Sequence, residues 1–322
     1  MRCWVFDWPG RRYVKPAQPG GRPPFLPDIT LDFPARWWVH DSPGADTRIW
    51  AQSTLSGIDP EVLLQGQPGA APFDDQQVLA AIQQKWAGAN VVAARAPGER
   101  HPRIWRGRYL EPPREEAESL TASFSSAHAL IDRFRHVLRT VEPHEANRST
   151  FGHELRHLLI LGCTEVESAW KSILVANDYP APPKNRHTTN DYWKLRDALR
   201  LEEWEVQLAL FPRYGTVAPF RGWDRAKPTD SLAWYAGYNA TKHDREVNLD
   251  KASLENVISA LAAVYIMLAA QMGPDWLRKA PYEIPDFHPT NQPAWDLAEE
   301  YVPIISFSSK PEPTAVPYKF PP

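Results

Sequence analysis

The sequence predicts an α+β fold, in which a mostly α-helical bundle follows an N-terminal region that contains β-strands and is rich in proline and tryptophan. Of the 33 prolines, 15 lie in residues 1–115, 7 in residues 116–272 and 11 in residues 273–322. Because proline interrupts helices and central strands, long regular structure is expected in the middle segment. That segment also places apolar residues at spacings of three and four, which is typical of amphipathic helices. We therefore divide the chain into these three segments.

The N-terminal segment is expected to be folded despite its prolines, because it holds seven of the 14 tryptophans, which can close a small β-rich core. Strands are predicted at residues 37–40 (WWVH) and 103–110 (RIWRGRYL). One helix is predicted at residues 74–88, between an acidic start and a glycine stop. Short strands and turns around one helix are the expected structure of this segment.

The middle segment is predicted to be a bundle of four or five helices. The apolar spacing places these helices at residues 115–141, 151–176, 189–200, 229–243 and 253–272. Thr229 or Asp230 can cap the fourth helix. The C-terminal segment is predicted to be mostly extended, with a short helix at residues 293–301 and a proline-rich end that forms a strap or a loose tail.

Charge and cysteine content exclude several classes of protein. The 36 basic and 39 acidic residues give a net charge of −3 and a pI near 6.4, without the basic excess typical of proteins that live on nucleic acid. Cys3 and Cys163 form no CxxC pair, which argues against a disulfide framework or a cysteine-built zinc site. The N-terminal residues lack the apolar core of a signal peptide, and no apolar run has the length of a membrane span. We expect a soluble, cytoplasmic protein without membrane contact.

One motif with catalytic potential is His153-Glu154-Leu155-Arg156-His157. Two histidines one helical turn apart can bind one zinc ion, and the glutamate between them can take a proton from the metal-bound water. However, Arg156 places a permanent cation near the metal position, and no Gly-x-x-His continuation supplies a third ligand. The helical wheel puts both histidines opposite the apolar stripe. Zinc-dependent hydrolysis is therefore an alternative only, and no metal or cofactor is expected.

A second polar cluster lies at the end of the fourth predicted helix. Tyr235, Asn239 and His243 are one turn apart on one face, and Lys242 and Arg245 are close to the helix end. The cluster offers an imidazole for acid or base work, an amide to orient it and cations to hold a phosphate. We take His243, Asn239 and Arg245 as candidate catalytic residues, and Lys242 and Tyr235 as candidate ligand-binding residues. The alternative is that the aromatics pack the bundle and the charges interact with the helix dipole.

Three strings together resemble one superfamily: CTEVESAWK at residues 163–171, TTNDY at 188–192 and YNATKHDR at 238–245. They are similar to the HEPN superfamily of small helical bundles, over about residues 117–272. Many HEPN domains are dimeric RNases in bacterial toxin and phage-defence systems. The resemblance implies a bacterial helical domain that forms a homodimer and binds RNA, a nucleotide or a protein.

Active HEPN members place an arginine before the catalytic histidine, separated from it by four to six residues. Before His243 the corresponding residues 236–238 are Ala-Gly-Tyr, so the arginine is absent. Arg148 and His153 have the required spacing, but at the start of an earlier helix. The resemblance therefore implies a divergent nuclease or, in our preferred hypothesis, a non-catalytic binding module. The alternatives are a zinc hydrolase and a purely structural or interaction protein.

Overall fold

The chain forms two compact units in the structure, which is a computed structural model. One unit comprises Met1–Glu99 and Trp295–Pro311, and the other comprises Arg100–Ala294 and Glu312–Pro322. We call these the sheet unit and the helical unit and describe each by itself. The structure describes residues 3–8, 35–41, 48–53, 61–66, 71, 73–95, 98–107, 112–180, 187–302 and 313–321.

The division differs from the boundaries at residues 115 and 272 that proline content indicates. Residues 100–107 belong to the helical unit, because the Trp105 N–H donates to the Ala270 carbonyl at 2.9 Å. The Trp105 ring also lies 6.1 Å from that of Trp204. Proline content therefore marks where long helices form, whereas packing determines which segments belong together.

The sheet unit is built on five antiparallel strands. They are β1 (Cys3–Trp8), β2 (Ala35–Asp41), β3 (Arg48–Ser53), β4 (Glu61–Gln65) and β5 (Asn90–Arg95). Their order in the sheet is β4-β3-β2-β1-β5, and every neighbouring pair is antiparallel. The predicted strand at residues 37–40 is confirmed as the middle of β2.

Helix α1 (Asp75–Lys85) lies between β4 and β5 in the chain and confirms the helix predicted at residues 74–88. The Asp74 side chain accepts the Gln77 N–H at 2.8 Å, and the Gln77 side chain accepts the Asp74 N–H at 2.9 Å, a reciprocal cap. The chain leaves the helical conformation by Gly88, whose φ is 81°. Buried apolar side chains then join α1 to the sheet: Trp4, Phe6, Val78, Ile82 and Trp86.

The helical unit confirms the predicted bundle. Its helices are α2 (Arg114–Val137), α3 (His153–Ala176), α4 (Thr189–Trp193), α5 (Leu195–Ala198), α6 (Ala233–His243), α7 (Arg245–Asn248) and α8 (Leu254–Met272). Helix α3 is central, since it packs against α2, α6 and α8. The fold is thus α+β with a mostly helical core, as predicted.

Helix α8 is the core helix of this unit. Among the described residues it is the one helix long and apolar enough to cross a membrane, but 83% of its most apolar 18-residue stretch is buried by the rest of the protein. A helix that is apolar all round and covered by its neighbours is typical of the centre of a bundle. We assign α8 to the core, and the cytoplasmic location stays a prediction.

Short strands complete the structure. Strands β7 (Glu205–Leu208), β8 (Thr216–Val217) and β9 (Phe287–Asn291) form a small antiparallel sheet in the order β8-β7-β9. Strand β6 (Glu99–Arg100) pairs with β10 (Thr314–Ala315). Beyond β10, the Tyr318 N–H donates to the Asn177 side-chain oxygen at 2.8 Å. Residues 313–321 therefore lie as a strap on the helical unit.

Two predicted helices are shorter than expected. The helix at residues 189–200 is divided into α4 and α5 at Lys194, although buried side chains continue at helical spacing across the break. The helix predicted from residue 229 begins at Ala233, and no side chain caps it. Leu232 stands at the N-cap position instead of Thr229 or Asp230, and the Thr229 hydroxyl lies 2.9 Å from the Thr189 hydroxyl.

Two other predicted elements are wrong. Residues 103–107 form no continuous strand, because Arg103 and Gly107 have φ angles of 57° and 68°, outside the β region. Arg106 between them forms only a single bridge. Residues 108–110 of the same prediction lie outside the described residues. The helix predicted at residues 293–301 is a single turn, in which the Asp296 carbonyl accepts the N–H groups of Glu299 and Glu300 at 2.8 and 3.1 Å.

Candidate functional site

Helix α6 presents one face to the bundle and its C-terminal end to solvent. Its buried side chains recur at helical spacing, which fixes the orientation of the helix: Trp234, Tyr235, Gly237, Tyr238 and Thr241. Lys242 and His243 close the helix and are exposed. Among the candidate residues whose side chains the structure describes, the two exposed ones are therefore neighbours at one end of α6.

A hydrogen-bonded network links the buried face of α6 to α3. The Tyr235 hydroxyl donates to Glu167 at 2.5 Å, and the Tyr238 hydroxyl lies 3.4 Å from the other oxygen of that carboxylate. Lys242 donates to the Tyr238 hydroxyl at 2.7 Å. Burial and the bond to Glu167 raise the pKa of Tyr235 far above its usual range, so this hydroxyl stays a donor. The structure thus assigns Tyr235, which is 4% exposed, to packing and not to ligand contact.

The expected pairing of Asn239 with His243 does not form. The Asn239 amide donates to the Tyr235 carbonyl in its own helix at 3.2 Å. No hydrogen bond from any described residue reaches the His243 ring. Arg245 begins α7 directly after Asp244, and its side chain lies outside the described residues. The imidazole is exposed and unoriented.

The His-Glu-x-x-His motif lies at the start of α3, and its glutamate is bound by an arginine. Arg133 of α2 pairs with both oxygens of Glu154, and its second contact with that carboxylate is 3.1 Å long. The same guanidinium lies 3.3 Å from the His157 ring. The hydrogen bond from Arg133 holds the pKa of Glu154 below its usual range. Within the described ranges, no group of three His, Cys, Asp or Glu side chains could hold a metal ion.

Arg156 brings the two motifs together. Its guanidinium nitrogens donate to the Thr241 carbonyl at 3.1 and 3.3 Å. That carbonyl lies in the last turn of α6, where carbonyl groups have no partner within the helix. The contact joins the start of α3 to the end of α6, so Arg156, Lys242 and His243 lie at the same end of the bundle. We call these three residues the α6-end cluster.

Arg148 does not pair with His153, although their spacing resembles that of HEPN catalytic residues. Its guanidinium binds Glu145 at 2.7 Å and Glu255 at 2.9 Å. It also donates to the Tyr214 carbonyl at 2.9 Å. These contacts hold the loop before α3 against the start of α8, which is a structural role.

Sequence reasoning missed Glu167 and Trp170 as the centre of the α3–α6 contact. The Trp170 ring is fully buried and stacks on Trp223 at 5.1 Å, with Tyr192 at the same distance and Tyr235 at 5.5 Å. One signal in the sequence could have identified this contact. Glu167 lies three residues before Trp170, on the apolar stripe of α3. A carboxylate on a buried stripe requires donors, and the tyrosines of α6 supply them.

Comparisons of the chain with protein-family models, with curated proteins and with solved structures find no match. The resemblance to HEPN domains therefore stays a prediction.

Proposed function

We propose that the helical unit is a non-catalytic binding module that contacts the sugar-phosphate backbone of RNA through the α6-end cluster. The observation that carries the proposal is that Lys242 and His243 are consecutive, exposed residues at the end of α6, where Arg156 binds the carbonyl of the preceding residue, Thr241. Side chains that donate hydrogen bonds, two of them permanent cations, suit phosphate oxygens. The resemblance to HEPN domains agrees with RNA as the ligand.

The position of Arg156 supports anion binding at a helix end that otherwise disfavours it. The last carbonyls of a helix carry a partial negative charge, and Arg156 offsets part of this charge at Thr241. Asp244, directly after His243, and Glu246, three residues after it, are exposed, so the cluster has little excess positive charge. We expect weak binding that decreases steeply with salt.

The surroundings of His243 favour binding over catalysis. A general base must be held within hydrogen-bond reach of the proton that it removes, and a second group normally orients it. No described residue orients the His243 ring, and Asn239 is occupied by the Tyr235 carbonyl. The zinc alternative is disfavoured because Arg133 occupies the carboxylate of Glu154.

The test measures binding of a fluorescein-labelled, single-stranded RNA of mixed sequence to the full chain by anisotropy. Lys242→Gln is expected to weaken binding about fivefold, the effect of losing roughly 1 kcal/mol. Lys171→Gln is the matched control, since Lys171 is exposed on α3 roughly 22 Å along the helix from Arg156. Equal loss of affinity in both variants, or no binding by the wild type, refutes the site and supports the structural alternative.

The same samples test whether the module is catalytic. After incubation the RNA is separated on a denaturing gel, with and without added zinc. Intact RNA in both lanes is the expected result. Cleavage that is lost in His243→Ala would replace the binding module with a divergent nuclease, and cleavage that needs zinc and Glu154 would favour the hydrolase alternative.

A further inference from the structure

A second candidate site, separate from the α6-end cluster, is a pocket between the end of α2 and the turn after β7. It has a volume of about 230 Å³. Phe134 and Leu208 are buried at its base, and Leu138 and Phe211 are half-buried beside them. Leu210 lies at the pocket with 82% of its surface exposed. Leu210 extends the apolar lining of the pocket, and small ligands bind in concave, mostly apolar sites.

One guanidinium at this pocket has no partner in the described part of the chain. Arg135 donates to both oxygens of Asp286 at 2.8 and 2.6 Å and to Asp132 at 2.7 Å, so its donors are occupied by two carboxylates. Arg139 is exposed and also lines the pocket. No described carboxylate pairs with Arg139. The pocket therefore combines apolar walls with one guanidinium that no described carboxylate binds. Arg135 and Arg139 together balance the charges of Asp132 and Asp286.

From this combination we infer that the pocket binds a small monocarboxylate with an apolar body, such as a short acyl or aryl acid. The apolar group lies against Phe134 and Leu208, and the carboxylate pairs with Arg139. A guanidinium presents a fork of N–H donors that matches a carboxylate. Burial of the apolar group supplies the remaining binding energy.

Size and charge together select this class of ligand. Pockets that enclose a drug-sized molecule usually have about 300–1,000 Å³, so a pocket of about 230 Å³ holds a single ring or a short chain. The carboxylates of Asp132 and Asp286 are bound to Arg135, which also lines the pocket. They would repel a second negative charge, so a monoanion fits better than a dianion.

The end of α2 does not oppose an anion strongly, because its last carbonyl groups have partners. The Phe134 carbonyl accepts the Leu138 N–H at 3.0 Å, and the Val137 carbonyl accepts the Thr140 hydroxyl at 2.9 Å. Satisfied carbonyls contribute less of the negative potential expected at a helix C-terminus. Arg139 therefore keeps most of its attraction for a carboxylate.

The test titrates the full chain by calorimetry with three probes of one shape: 3-phenylpropanoate, 3-phenylpropan-1-ol and 3-phenylpropyl phosphate. We expect the carboxylate to bind at least about fivefold more tightly than the alcohol and more tightly than the phosphate. Equal affinity for acid and alcohol overturns the role of Arg139, and tighter binding of the phosphate overturns the choice of a monoanion. Absence of binding by the carboxylate overturns the site.

Variants locate the binding. Arg139→Gln should remove the preference for acid over alcohol, whereas Arg213→Gln should keep it, because Arg213 is exposed nearby but does not line the pocket. Leu210→Ser should weaken both probes. An unchanged preference in Arg139→Gln contradicts the inference. None of these residues belongs to the α6-end cluster, so this test can fail while the RNA proposal stands, and the reverse also holds.

Discussion

Gly237 in the middle of α6 gives the sharpest test of how this helix is positioned. A Cβ atom at Gly237 would lie 2.9 Å from the Asn256 side-chain nitrogen and 3.0 Å from the Lys251 carbonyl oxygen. These two atoms are bound to each other at 2.8 Å. Gly237→Ala therefore forces apart a hydrogen-bonded pair at the start of α8, the surface against which α6 packs at this glycine.

The expected cost follows from three terms. Alanine in a helix is favoured over glycine by about 1 kcal/mol, and loss of one hydrogen bond costs about 1 kcal/mol, so these terms offset each other. Overpacking a tight site costs about 1–3 kcal/mol. We expect Gly237→Ala to lower the free energy of unfolding by about 1–3 kcal/mol.

Gly162 in α3 is the matched control. A Cβ atom there would meet the Ala260 Cβ at 3.5 Å and Leu261 at 3.6 Å, which are ordinary van der Waals contacts. Gly162→Ala should therefore stabilise the protein by up to about 1 kcal/mol. Urea unfolding followed by tryptophan fluorescence gives both values. If Gly237→Ala is as stable as the wild type or more stable, the packing of α6 argued above is wrong.

Burial and ion pairing set three other measurable outcomes. Burial raises the pKa of Cys163 well above its usual range, so in a Cys3→Ser background Cys163 should react with iodoacetamide at pH 8 only after unfolding; rapid labelling of the native protein contradicts this. Burial raises the pKa of Tyr192 to about 12 in the folded protein, whereas the pKa in the unfolded chain is about 10. The neutral hydroxyl therefore contributes fully to stability below pH 10, and this contribution declines as the pH rises toward 12. Urea titrations should show a shallower decline for Tyr192→Phe. Arg133 lowers the pKa of Glu154, so above pH 5 this exposed pair should add less than about 1 kcal/mol to the free energy of unfolding. Urea titrations should show that this contribution is lost on acidification and is absent in Arg133→Gln.

Local sequence patterns predicted most of the helical unit. In helices α2, α3 and α8 the apolar residues recur at helical spacing over many turns, so the alternating pattern of a strand does not fit them. Helix α1 has both its acidic cap and its glycine stop. The pattern failed where backbone conformation decided the structure. RIWRGRYL has the composition of a strand, but the left-handed φ of Arg103 follows from packing that residue types do not show.

The candidate site was predictable only in part. The exposed ends of α6 and α3 follow from the helical wheel, and both motifs were found in the sequence. The two motifs are brought together by the contact between Arg156 and Thr241, which are 85 residues apart in the chain. The burial of Tyr235 depends equally on Glu167, which lies 68 residues away. Contacts at such separation are set by how the helices pack, so neither motif revealed that they share one surface.

If the α6-end cluster binds the backbone of RNA, the affinity falls as the salt concentration rises, because bound phosphates release counterions. With two or three phosphate contacts, the logarithm of the association constant should fall against the logarithm of salt concentration with a slope of about −1.4 to −2.1. Lys242→Gln should make the slope shallower by about 0.7, the share of one contact. Parallel slopes for the wild type and Lys242→Gln, or affinity that does not change with salt, would contradict the account.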